Sequence, residues 1–514
     1  MNRKLYIEYI NLFFLGIVTS LSLPPFNYLI INFFTLSFFF LFLIKKTLIH
    51  NNKKTFFLYG WIFGLGYFIS NLYWISISLT FDKSFKFLIP IAIFLIPSFL
   101  AIFYGLVSYF FIILKPKKFL SSFLMFSLIF GVLEFLRGTI LTGFPWNLIS
   151  YSFSKHLEIL SITSIIGTYG FNLVCISLFT SPAIFFLGNK KKNIWVFAFF
   201  VFLPIFFYIY GFSYKEKFNL ADKNLYDYKL RAIGSNISLD RFYTNIDPVS
   251  VIEDLIKISD PKKNEKTIFI WPEGILPGIS QDEFTNYSSL FRKKFNNNHL
   301  LMIGINSQST KNSSKIFFNS FSLYDHELTL LNSYNKINLV PFGEFLPFEN
   351  ILKNTGFRTI TNNYQSFSKG EKRDLIHIKK ENFSIKILPL ICYEIIYSGK
   401  LFDSPDFDLI VNISEDGWFG QSIGPKQHFS HSIFRAIESG KYVVRSANNG
   451  LAAIINPLGV TEQKVNFGDS GYVDFNEIRK IQPTVFSKYG NKIFGLLILL
   501  YIFLIFSFNR INNE

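Results

Sequence analysis

The stretch Leu388–Tyr397, "LPLICYEIIY", decides how the rest of the chain is read. Its first half is a short apolar run with the length and branched side chains of a fully buried strand. Cys392 stands at the end of that run, followed by Tyr393 and the ionisable Glu394. A cysteine in an apolar strand reads first as a small buried hydrophobe. A carboxylate two places later does not suit that reading, because a buried charge needs a partner.

Working outward, residues 228–485 hold short apolar or alternating runs that end at Gly, Asn, Asp or Pro. "KLRAIGSNI", "KTIFIWPEG", "LLMIGINS", "FFNSFSLYD", "DLIVNISED" and "YVVRSANNGLAAIINPLG" read as strands with turn punctuation. "IFRAIESGKY" has helical spacing, with Gly440 as its C-terminal stop. Strands interleaved with helices imply a layered α/β domain. Three segments put reactive groups at or beside strand ends, where open α/β sheets bind ligands. "IFIWPEG" offers Glu273, "NKINLVPFGEFLPF" offers Lys336 and Glu344, and "LPLICYE" offers Cys392. A thiol must lose its proton to act as a nucleophile, and a carboxylate within reach can take it. A lysine ammonium can hold the oxyanion formed on an attacked carbonyl. Glu, Lys and Cys therefore suffice for acyl transfer through a thioester. Taken singly, each has a plainer reading: core filler for Cys392, a turn for Pro272-Glu273, a solvated strand edge for Lys336.

Half of the 514 residues are hydrophobic and the mean hydropathy is +0.31, values that suit a membrane protein. Apolar runs at about 7–25, 27–44, 55–79, 87–114, 119–136, 158–187, 193–212 and 490–508 are long enough to span a bilayer. The expected organisation is a seven-helix transmembrane domain (1–213), a catalytic domain (228–485) and a C-terminal transmembrane helix (489–509), eight spans in all. One set of alternate loops and tails carries Arg3, Lys4, Lys45, Lys46, Lys53, Lys54, Lys115, Lys117, Lys118, Lys190, Lys191, Lys192 and Arg510. The other set carries only Lys83, Lys86, Arg137 and Lys155. This asymmetry places both termini in the cytoplasm and the large domain on the opposite side. Much of the net charge of +16 is then topology signal, and no nucleic-acid partner is expected. A cleaved leader is the competing reading of residues 1–25, but "SLSLPPF" offers no clear cleavage site. Two cysteines, with no CxxC and no HExxH, give no support to a disulfide framework or a metal site, and no cofactor is expected.

The ordered segments "WPEG", "NKINLVPFGEFLP", "LPLICYE", "NISEDGWFG" and "QHFSHSIFRAIESGKYVVRSANNG" resemble the nitrilase, or carbon–nitrogen hydrolase, superfamily over roughly 228–470. The resemblance implies an α-β-β-α sandwich with Glu273 as general base, Lys336 as oxyanion stabiliser and Cys392 as nucleophile. It also implies supporting roles for Glu344, Tyr393 and Glu394. "LEFLRGTILTGFPWNLISYSF" (133–153) and the layout of spans resemble the apolipoprotein N-acyltransferases along almost the whole chain. That resemblance implies a multi-pass, single-copy enzyme of the bacterial inner membrane with a periplasmic catalytic domain. Its acyl donor would be a membrane phospholipid and its acceptor a diacylated apolipoprotein. Trp146 would line a lipid entrance or sit in an interfacial belt, and Trp418 would wall the pocket or belong to the core. Glu134 and Arg137 read equally as a functional pair or a local ion pair. His428 reads as structural. The chain departs from the family pattern at Gly274, Glu415, Leu451 and Ala452, and only Phe242 or Tyr243 stands where an aromatic is expected in the first βα turn. The arm 350–368 is more polar than a lipid-covering lid requires. Extracting an acyl chain of about sixteen carbons into water costs on the order of 12 kcal/mol, which favours an enzyme that works at the bilayer. A membrane-tethered amidase using the same trio, and a non-enzymatic scaffold, are the alternatives.

Overall fold

The computed structural model describes residues 3–186, 190–244, 246–311, 314–349, 359 and 365–510. Most of the polar arm 350–368 lies outside the described residues. The chain divides into two compact units, one formed by residues 1–76, 85–216 and 484–514, the other by 77–84 and 217–483.

The first unit is helical: α1 (Arg3–Ser20), α2 (Ile31–Thr47), α3 (Lys53–Leu72), α4 (Ile89–Leu114), α5 (Phe119–Arg137), α6 (Thr163–Thr180), α7 (Lys190–Leu220, whose last residues belong to the second unit) and, after the second unit, α10 (Lys492–Arg510). Six helical segments among the described residues are long and apolar enough to cross a membrane; α1 and α2 are the shorter ones that fall outside that set. Large apolar side chains lie on the outside of these helices, such as Phe34, Phe94, Phe199 and Phe503. Such a surface is stable only against lipid or another apolar partner. Small residues let backbones touch: a Cβ on Gly16 of α1 would fall 2.0 Å from Phe63 O of α3. Glu134 and Arg137 are 1% and 2% exposed and pair with each other inside this unit. The guanidinium also donates to Phe144 O and lies over the Phe68 ring. The pair is thus a buried tie on the loop that follows α5, not a surface ion pair.

The second unit is built on twelve strands, β1 (Lys223–Ser235), β2 (Thr267–Ile270), β3 (His299–Lys311), β4 (Ser314–Asp325), β5 (Leu330–Asn335), β6 (Ile376–Lys380), β7 (Phe383–Ile391), β8 (Leu409–Glu415), β9 (Tyr442–Asn448), β10 (Ala452–Ile455), β11 (Thr461–Val465) and β12 (Gly471–Arg479). The hydrogen-bonded order is β5-β4-β3-β2-β1-β9-β8-β7-β6, with β12 on β1 and β10-β11 on β9. The β1–β9 join spans only Gly234↔Ala447 and Ser235↔Asn448, so the strands fall into two halves of six. Helix α8 (Pro248–Ser259) packs Val251, Ile252 and Leu255 on one half, against Phe269, Trp271 and Leu301. It starts where Asp247 caps Val249 N (3.0 Å) and Pro248 fixes the first turn. Helix α9 (Gly424–Ser439) serves the other half and stops at Gly440 in the left-handed conformation. Side chains of the halves meet where Ile413 of β8 approaches Gly304 of β3. β2, β3, β7, β8 and β9 run in parallel pairings, which brings their C-terminal ends to one edge.

Candidate active site

Three chain reversals leave that edge. β2 ends at Ile270 and delivers Glu273. Gly304 makes room for it, because a Cβ there would lie 2.5 Å from the Glu273 Cα. β5 runs into Lys336, whose backbone N–H donates to Asn319 O of β4 (2.9 Å). β7 ends at Ile391, and Cys392 opens a tight turn over Cys392–Ile396. The cysteine therefore caps the apolar strand rather than filling it. Its φ is +47°, a left-handed value that costs a non-glycine residue about 1–3 kcal/mol and concentrates at functional sites.

Lys336 is 1% exposed, Glu273 7%, Glu344 5% and Cys392 8%. The Lys336 ammonium donates to Glu273 Oε1 (3.2 Å) and Glu344 Oε1 (2.9 Å). Asn319 Nδ2 donates to the same two oxygens, at 2.7 Å each. The second oxygens are held by backbone: Glu415 N–H donates to Glu273 Oε2 (3.0 Å) and Val340 N–H to Glu344 Oε2 (2.8 Å). An ammonium has three donors, so among the described residues one N–H of Lys336 stays available beyond these two acceptors. Burial works against its charge, yet the Glu273 and Glu344 carboxylates overcome it and hold the lysine well above its ordinary value. Burial raises the Glu344 carboxyl, against the pull of Lys336. Burial also pushes the Cys392 thiol well up, with Glu273 adding to the shift and Lys336 opposing it. At neutral pH the group is a thiol, so its proton must leave as the sulfur attacks.

Glu394 is fully buried and joins two of the reversals. Its Oε1 accepts from Tyr334 OH (2.7 Å), Ile337 N–H (3.0 Å), Asn338 N–H (3.2 Å) and Arg373, and its Oε2 accepts from Ile391 N–H (2.9 Å). Burial alone would raise this carboxyl, but Arg373 and the backbone donor at Ile391 bring it below the ordinary range. The residues just after Lys336 are thereby tied to the residue just before Cys392. Tyr393 is buried with its ring edge-on to Tyr397 (5.6 Å). His428 supports the turn from below: its Nε2 is 3.3 Å from Cys392 O and its Nδ1 is 2.9 Å from Asp416 Oδ1.

Trp418 is half-buried and meets Phe242 at a tilt (4.9 Å) and Phe81 (6.0 Å) and Tyr243 (6.4 Å) edge-on. Phe242 in turn borders Gly274, where a Cβ would come within 3.2 Å of its ring. The aromatic cluster therefore stands beside the base. Trp146 belongs to the helical unit, 3% exposed, against Phe144 and Trp74. Asn319 was not foreseen from sequence: in "FFNSFSLYD" it is one polar residue of an alternating strand. Its inward register on β4 is the signal that could have found it.

The model of the apolipoprotein N-acyltransferase N-terminal domain matches residues 15–179, and the carbon-nitrogen hydrolase model matches 249–473. The apolipoprotein N-acyltransferase of Rickettsia typhi is 31% identical over 491 residues, covering 93% of this chain and 94% of that protein. That of Rhodopseudomonas palustris is 30% identical over 463 residues, covering 87% and 84%. Among solved structures, a mutant of an amidase of the nitrilase superfamily from Nesterenkonia AN1 aligns at 11% identity with a TM-score of 0.33, covering 51% of this chain and 94% of that one.

Proposed function

The chain belongs to the apolipoprotein N-acyltransferases, and from that premise we propose that Cys392 carries the acyl group as a thioester between a phospholipid donor and a diacylated apolipoprotein. Glu273 Oε2 takes the thiol proton as Cys392 Sγ bonds to the ester carbonyl carbon. The free N–H of Lys336 meets the oxyanion. The ester C–O bond then breaks, the leaving alkoxide takes the proton from Glu273, and a lysophospholipid departs. In the second half, the α-amine of the diacylglyceryl-cysteine attacks the thioester carbonyl. Glu273 accepts its proton, the C–S bond breaks and the thiolate is reprotonated.

The single observation that supports this reading best is the buried Lys336 ammonium bridging Glu273 and Glu344 on the strand edge that also presents Cys392. The two carboxylates keep the ammonium charged, as an oxyanion donor must be. Glu344 and Glu394 hold the lysine and the nucleophile turn in place, and Tyr393 packs that turn. Trp418, with Phe81 and Phe242, supplies an apolar wall beside the base for an acyl chain, whereas Trp146 is packed inside the helical unit, neither in an interfacial belt nor open to lipid.

The catalytic domain is a four-layer α-β-β-α sandwich over 228–485. Residues 1–213 and 489–509 supply eight spans of the inner membrane, with both termini cytoplasmic, the catalytic domain periplasmic, and one copy per enzyme. Reporter fusions after each predicted span test the topology. The chemistry is tested with phospholipid labelled in its acyl chain and a diacylated lipopeptide acceptor. Label passing from enzyme to the lipopeptide amine in ping-pong order supports the reading. Label released only as free fatty acid, with no transfer, points instead to a hydrolase.

A further inference from the structure

The Glu273 carboxylate has two differently occupied oxygens. Among the described residues, Oε1 receives both Lys336 and Asn319, whereas Oε2 receives only the backbone N–H of Glu415. Oε2 is therefore the oxygen with capacity left for the thiol proton, and the Glu415 N–H sets where it points.

Glu415 is held in a way that fixes this N–H. Its side chain is 1% exposed. Its Oε1 folds back to accept from Gly417 N–H (2.9 Å), and its Oε2 accepts from Asn448 Nδ2 (2.7 Å) and from Arg241. Arg241 is 2% exposed and comes from the turn after β1. The same Nη2 also donates to Gly274 O, the residue next to the base, at 3.3 Å. Its Nη1 is fixed on Ser238 O (2.8 Å) and Ile237 O (3.2 Å). One guanidinium thus grips both flanks of Glu273: the residue after it, and the residue whose N–H aims its free oxygen. An ion pair this deeply buried adds little to stability by itself. Glu415 occupies a position where the family resemblance leads one to expect an uncharged Asn, and its charge is met here by Arg241.

We propose that Arg241, acting through Glu415 and Gly274, is a positioning residue for the proton-accepting oxygen of Glu273. The proposal rests on Glu273 being the base. Without Arg241 the Glu415 turn relaxes and Oε2 loses its aimed donor. A carboxylate that loses an N–H donor is easier to protonate, so the acid limb of the reaction moves to higher pH.

The test is single-turnover acylation of Cys392 by phospholipid in mixed micelles, followed by mass, from pH 5 to 9, with the full-length protein. Arg241→Met is expected to slow acylation about 10²-fold, the scale of a misplacement of about 1 Å, and to shift the acid limb upward. Arg241→Lys, a point charge without the fork, gives a smaller loss in the same direction. Unchanged rates and limbs in both variants overturn the proposal. So does a slowed rate with an unmoved limb, which marks a merely structural ion pair. If Arg241→Met does not fold, Glu415→Asn decides: an upward limb supports the clamp and an unmoved limb refutes it. Glu273→Gln acylating as fast as the unaltered enzyme would instead remove the base assignment itself.

Discussion

Replacing Lys336 with methionine removes the oxyanion donor and the partner of both carboxylates in one step. The ammonium sits 3.2 Å from Glu273 Oε1 and 2.9 Å from Glu344 Oε1, with only 1% of its side chain exposed. Methionine fills similar space and removes the charge. Two buried carboxylates are left sharing Asn319, and breaking a buried pair in this way costs about 3–5 kcal/mol when both stay ionised. They avoid that cost by binding a proton, which also spends the base. Loss of the oxyanion donor removes about 10²–10³ in rate, and loss of the base about 10²–10⁴. The two effects act as a unit and do not multiply, so acylation of Cys392 should fall by about 10³ or more. Stability gives an independent readout with a definite sign. In Lys336→Met the folded carboxylates titrate above their unfolded value of about 4.3. Their contribution is then fully present below that value and is lost as pH rises through the raised folded one. The variant should therefore melt higher at pH 5.5 than at pH 8. Acylation within tenfold of the unaltered enzyme, or no relative stabilisation of the variant at low pH, would refute the reasoning.

Other consequences are open to direct measurement. Arg373→Met strands Glu394 and should lower unfolding stability by about 3–5 kcal/mol, read by melting in detergent. Glu394 and Asp416 are both held below the ordinary carboxylate range, against burial, by Arg373 and Arg445 respectively. Their stabilisation is present above about pH 4 and drains away as pH falls through the depressed folded values, so acid melting should become shallower in Arg373→Met. Asn319→Leu removes one donor shared by Glu273 and Glu344 and should slow acylation about tenfold, the equivalent of one net hydrogen bond, without altering alkylation of Cys392 by a small reagent. Trp418→Ala should raise KM for phospholipid by about ten- to a hundredfold, matching about 1.5–3 kcal/mol of apolar burial, again with alkylation of Cys392 unchanged.

The reactive groups were legible because each sits at the end of a short, strongly patterned run. "IFIWPEG" and "LPLICYE" carry their strand and their chemistry in one segment. Glu394 was legible only as an anomaly; its partners Arg373 and Tyr334 come from distant segments. β5, "LLNSYN", delivers Lys336 yet has four exposed residues in a row, so no alternation marks it. β11, "TEQKV", is an antiparallel addition of the same weakly patterned kind. Asn319, Arg241 and Glu415 act through register and side-chain reach, which a linear sequence does not encode locally. The helical half was legible as apolar runs, while its ends were not. The run at 55–79 becomes α3 to Leu72 followed by a tighter turn over Tyr73–Thr80, and residues 77–84 join the catalytic unit, where Phe81 meets Trp418. Glu134 and Arg137 read equally as a functional pair or a local ion pair, and tertiary packing buries them.

The most direct measurement is the intact mass of the protein after exposure to phospholipid without acceptor. Thioester catalysis predicts one added acyl chain, located on the peptide that contains Cys392, removed by hydroxylamine, and absent in Cys392→Ala. Discharge of that adduct onto an added diacylated lipopeptide completes the cycle. An acyl adduct of equal yield in Cys392→Ala, or transfer to the lipopeptide with no adduct on Cys392 at any time, would contradict it.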